Sequence, residues 1–171
     1  MRKRAGSRTE RGRASRGRRV GGGDAFPRFE VYVIDSGWKT PAAEVVRNAM
    51  PLFAKYMGRH EVYVLSTDHS EKFLQGHPQL LGKDPIIAVL DREAIRRESA
   101  DGVGVRLLLG RIRDEHRVLA LLKMLLRIVN TPELAADLPG SIRRYVHREG
   151  VAGAVEIVMS AAGHVETESG H

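Results

Sequence analysis

The stretch FEVYVIDSGWKTPAAEVVRNAMPLFAKYMGRHEVYVLS, residues 29 to 66, decides the fold class. It opens on Phe29 to Asp35 and ends on Glu61 to Ser66, two short runs rich in β-branched and aromatic residues. Runs of this length and composition read as buried strands. Between them, Thr40 is placed to cap a helix whose first position is Pro41, with Glu44 in the opening turn facing the positive end of the dipole. Val45, Val46, Ala49, Leu52, Phe53 and Tyr56 then recur at helical spacing. Pro51 falls inside this helix and is expected to kink it, and Gly58 to end it.

Outward from that unit, Asp68 is the expected cap of a short helix over His69 to Gln75, closed by Gly76 and Pro78. Ile86 to Leu90, directly after Asp84-Pro85, reads as a third strand and Val103 to Leu109 as a fourth. Asp114 caps a long helix from Glu115 to Val129. The order strand, helix, strand, helix, strand, strand, helix predicts an α/β sandwich with a mixed central sheet.

The helix over 115–129 is apolar around most of its circumference, whereas one sheet face needs only about 100° of apolar arc. Either the following segment or a second subunit must cover it. That segment begins after Thr131-Pro132. Ile142, Tyr145 and Val146, then Val151, Ala154, Val155, Val158 and Ala162, suggest two short helices hinged at Gly150, although Val155 to Met159 also satisfies a strand pattern. Residues 163 to 171 are expected to fray.

Residues 29 to 130 resemble the thioredoxin-like fold. The resemblance is carried by position: a first strand running into Ser36-Gly37-Trp38-Lys39, a helix interrupted by Pro51, Asp84-Pro85 where that family has a cis-proline, and Leu107 to Arg111 before a capped last helix. It implies that Trp38 and Pro85 flank one groove, which elsewhere in the family holds extended peptide. It implies no redox activity, since Ala43 to Val46 stand where the paired cysteines would be and the chain has no cysteine at all. Without a thiolate there is no thiol–disulfide exchange. The connection Asp91 to Gly102 is longer than the family's tight hairpin. A helical turn there would suit a flavodoxin-like parallel sheet, which is the alternative fold.

Charge divides the chain sharply. Of 28 bases and 21 acids, nine bases (Arg2, Lys3, Arg4, Arg8, Arg11, Arg13, Arg16, Arg18, Arg19) and one acid lie in the first nineteen residues, leaving 19 bases and 20 acids for the rest. Three parts are expected: a disordered basic arm over 1–23, an α/β domain over 24–130 and a largely helical C-terminal extension over 131–171 that packs on the domain or on a partner. The arm reads either as a solubilising tail or as an electrostatic clamp. As a clamp it would contact an acidic protein, acidic lipid, or the phosphates of a nucleic acid in a salt-dependent way. It carries no aromatic residue for base stacking.

No apolar run reaches the roughly 20 residues a membrane helix needs, and residues 2–19 have no large apolar side chain from which to build a targeting helix. A soluble cytoplasmic location is the expectation. His60, His69 and His77 follow no zinc spacing and read as solvated side chains. Asp35, Ser36 and Asp68 could frame an acidic Mg²⁺ pocket at the strand ends, but no glycine-rich phosphate loop accompanies them. The resulting expectation is a non-catalytic thioredoxin-like protein-interaction module, without cofactor or metal. Its partner is another protein or a second copy of itself; the alternative is a nucleic-acid-associated protein acting through the arm.

Overall fold

A computed structural model describes residues 27–161. Five strands and six α-helices follow in order, besides three short 3-10 turns: β1 (Phe29–Ile34), α1 (Pro41–Tyr56), β2 (Glu61–Val64), α2 (Thr67–Gly76), β3 (Ile86–Asp91), α3 (Arg92–Arg96), β4 (Gly104–Leu108), α4 (Glu115–Val129), α5 (Pro132–Ala135), α6 (Leu138–Arg148) and β5 (Val155–Val158). The basic arm, with all nine of its cations, and the last ten residues lie outside the described part.

The five strands form one mixed sheet in the order β2-β1-β3-β4-β5. β1 and β2 are parallel, as expected of two strands joined through a helix, while β3 runs antiparallel to β1, β4 to β3 and β5 to β4. The parallel-sheet alternative is thereby corrected. The connection over 91–102 does contain a helical turn, α3, capped by the Asp91 carboxylate on Glu93 N. It still returns the chain as an antiparallel neighbour, because five helical residues are too few for a crossover.

Alternation along each strand builds two cores. Phe29, Val31 and Val33 of β1, with Ile87, Val89, Val105 and Leu107, face α1, α4 and α6; Tyr32 and Ile34, with Ile86, Ala88, Leu90 and Leu108, face α2. β4 begins on a glycine because it must: a Cβ on Gly104 would stand 2.2 Å from the Val89 carbonyl oxygen.

The expected caps on α1 and α4 are present, Thr40 Oγ1 accepting from Ala43 N and Asp114 from His116 N and Arg117 N. Pro51 sits within α1 on its exposed side. For α2 the cap is Ser66 and not Asp68. Ser66 Oγ accepts from His69 N, and Asp68 stands exposed in the first turn, where its charge favours the dipole. Both residue types cap well, so the choice fell to where β2 delivers the chain.

The cover for α4 is intramolecular. α5 and α6 pack against it together with α1, burying Met124, Leu125 and Ile128 beside Leu138, Ile142 and Val146. The second half of the extension is strand and not helix: beyond Gly150, in a left-handed conformation at φ 70°, β5 joins the sheet edge beside β4. The extension thus completes both the helical layer and the sheet. Among the described residues no helix is long and apolar enough to cross a membrane.

Candidate interaction groove

The carboxyl end of β1 and the turn before β3 meet at a cleft of about 350 Å³. Its walls come from the β1–α1 loop (Ser36, Trp38), from α2 (Leu74, Gln75) and from the turn ahead of β3 (Leu81, Asp84). Trp38 is 71% exposed and Leu81 57%. Large apolar side chains standing singly in water need no explanation, but two on the rim of one cleft do.

This cleft is held by polar contacts. The amide and the hydroxyl of Ser36 both donate to Asp84 Oδ2, the amide at 3.1 Å. Asp84 itself is 6% exposed. On the other side of the loop, the Arg47 guanidinium reaches back from α1 to the Asp35 carboxylate at 2.9 Å and to the Trp38 carbonyl at 3.1 Å. Asp35 also accepts from Gly37 N, and its own amide donates to Ser70 Oγ on α2. The tryptophan is therefore displayed from a loop tied at both flanks.

Beneath the cleft the chain is packed backbone to backbone. Gly110 donates to the Lys83 carbonyl at 3.1 Å, and a Cβ added at Gly110 would lie 2.2 Å from the Asp84 carbonyl oxygen. The Asp84-Pro85 peptide bond is cis. Pro85 is buried, with its carbonyl accepting from Leu109 N, so of the expected pair Trp38 lines the cleft and Pro85 does not. The residue that faces the cleft from that turn is Asp84, followed outward by Leu81. Its position ahead of a proline was visible in the sequence; its pairing with Ser36, 48 positions away, was not.

Asp35, Ser36 and Asp68 do not share a site. Asp35 is engaged by Arg47, Ser36 by Asp84, and Asp68 is exposed in the first turn of α2, with no contact to either. No cluster of three or more His, Asp or Glu side chains suited to a metal ion occurs among the described residues.

The three histidines have separate fates, and one corrects the solvated reading. His60 is 7% exposed. Its ring accepts from Phe29 N at 3.5 Å, lies 3.3 Å from the Val129 carbonyl through Nε2, and meets the Phe29 ring edge-on. It thereby ties the start of β1 to the end of α4. Burial, with Arg59 and Arg28 adding to it, pushes its pKa below the usual imidazole value, against the opposing hydrogen bond to Val129. His77 stacks on Phe73, and His69 is exposed beside Ser66. Next to His60, Arg28 makes a two-pronged pair with the buried Asp91 and donates to the Ala135 carbonyl, joining β1 to β3 and α5. That interaction holds the Arg28 pKa above its ordinary value, chiefly through the hydrogen bond to Asp91.

No protein-family model, curated protein or solved structure matches this chain.

Proposed function

We propose that this chain is a thioredoxin-like, non-catalytic interaction module that docks a partner protein at the Trp38 cleft, with the basic arm as an accessory tether to acidic surface. The observation that carries the reading is Trp38 itself: a large aromatic side chain, 71% exposed, on a loop fixed by Arg47 and by the Ser36–Asp84 pair. Exposed aromatic anchors on rigid loops contribute most of the affinity at protein contacts, because little conformational entropy is lost on binding. The thioredoxin-like part of the reading is supported by the strand order β2-β1-β3-β4, by β3 running against β1 and by Asp84-Pro85 at the head of β3. With no cysteine in the chain, such a groove retains binding and not thiol chemistry.

Trp38 is the single tryptophan, so its emission reports the cleft directly. Extended peptides selected from a random display library on the full chain should shift that emission to the blue and saturate it. Their binding should fall about 10-fold or more in Trp38→Ala and Leu81→Asp variants, the loss typical of an interface anchor. Selected peptides that bind both variants as tightly as the parent would refute docking at this cleft.

A further inference from the structure

A second surface lies away from the Trp38 cleft, in the furrow between α4 and α6. It has a volume of about 570 Å³ and four exposed cations on its walls, Lys123 and Arg127 from α4, Arg144 and Arg148 from α6. No carboxylate lines it. The floor is apolar: Met124 and Ile128 are buried, and Leu134 and Tyr145 half-buried. We propose that this furrow binds an acidic amphipathic helix of a partner protein.

The charge is a local departure from the composition. Outside the arm the chain has 19 bases against 20 acids, and Arg28, Arg47 and Arg92 each meet a carboxylate within 3 Å. Lys123 and Arg127 make no ion pair among the described residues. Arg144 reaches Asp137 only at 3.4 Å and Arg148 reaches Glu149 at 3.3 Å; all four of these side chains are exposed, so the pairs contribute little and yield readily to a competing carboxylate. Four cations around one apolar floor complement a ligand with several negative charges and one greasy face.

Spacing selects the helix. Lys123 and Arg127 are four residues apart on α4, as are Arg144 and Arg148 on α6, which places each pair about 6 Å apart along its helix. Carboxylates one turn apart on either flank of a docked helix match both rows, and apolar side chains at i, i+3, i+4 and i+7 fill the floor. A nucleic acid fits less well: the floor is aliphatic apart from Tyr145, and the face of that ring already carries the Arg148 guanidinium, 5.3 Å from the centroid. Two copies joined through this face would bring like charges together, which disfavours self-pairing here. A single small carboxylate would leave most of the four cations unmatched.

The test uses the full chain and three labelled peptides of about 18 residues, or five turns. One has Leu at i, i+3, i+4 and i+7 flanked by Glu, one is its scramble with identical composition, and one has Lys in place of Glu. Because the arm attracts any polyanion, the scramble measures what the arm contributes. The expected result in fluorescence anisotropy is binding of the amphipathic acidic peptide at least about 10-fold tighter than the scramble, with none of the Lys peptide. That preference should vanish in K123E/R127E, or in K123Q/R127Q should the first variant show a changed circular dichroism spectrum. Equal binding of peptide and scramble, or a preference surviving in the variant that folds, would overturn the proposal. So would α4-dependent binding to phosphatidylserine vesicles or to duplex DNA in the absence of that peptide preference.

Discussion

Ser36 and Asp84 meet twice at a single oxygen: the Ser36 amide and the Ser36 hydroxyl both donate to Asp84 Oδ2. Ser36 follows β1 and Asp84 precedes β3, so this pair joins the two turns that form the Trp38 cleft. Asp84→Ala leaves the amide and hydroxyl of Ser36 without their acceptor, a loss of about 1–3 kcal/mol. Ser36→Ala retains the amide bond and should cost about 1 kcal/mol. Chemical denaturation monitored through Trp38 emission gives both numbers, and equal stability of Asp84→Ala and the parent would show that the pair does not hold the cleft.

Gly110→Ala tests the backbone packing beneath. The new methyl group would press on the Asp84 carbonyl, and backbone cannot rotate aside as a side chain can. The expected destabilisation is about 1–3 kcal/mol, as for overpacking elsewhere. It should come with a change in Trp38 emission in the folded state, because Asp84 carries Ser36 with it. Gly153→Ala is the control, having nothing within 4 Å of its added Cβ.

His60 predicts an acid-side loss of stability. Its folded pKa is lowered by burial, so near the ordinary imidazole value the unfolded chain takes up the proton and the folded chain does not. Stability from this site is therefore complete above about pH 6.5, the unperturbed value, and declines as pH falls through the region between the unfolded and folded pKa values. Melting temperature measured from pH 8 to pH 5 should fall more steeply in the parent than in His60→Gln. Parallel curves would assign the acid sensitivity to other groups.

Ending the chain after Asn130 removes α5, α6 and β5. Met124, Ile128 and their neighbours on α4 lose their cover, and β4 becomes a bare sheet edge. Light scattering should show that variant self-associating more strongly than the full chain, because the truncated surface is both apolar and edge-exposed. A stable monomer would mean that residues 24–130 fold as an autonomous domain, as the charge and motif boundaries suggest.

Much of the architecture was legible because it depends on local chemistry. The alternation in Phe29 to Ile34 and the caps at Thr40 and Asp114 act within a few residues of themselves, so their elements stand where the pattern puts them. Trp38 was singled out from its place after β1, and it does line the cleft. Pro85 was singled out from its place before β3, yet it is buried, and its neighbour Asp84, paired with Ser36, lines the cleft instead.

Composition and periodicity determined by themselves that this is an α/β chain with a body of nearly balanced charge, a greasy helix over 115–129 and no thiol chemistry. Only the tertiary structure decided that β3 opposes β1, that β5 closes the sheet edge, that α6 covers α4 and that His60 is buried against Phe29 and Val129. Each of these rests on contacts between segments far apart in the chain. A residue's own type leaves several partners open, and the packing of the whole core selects among them.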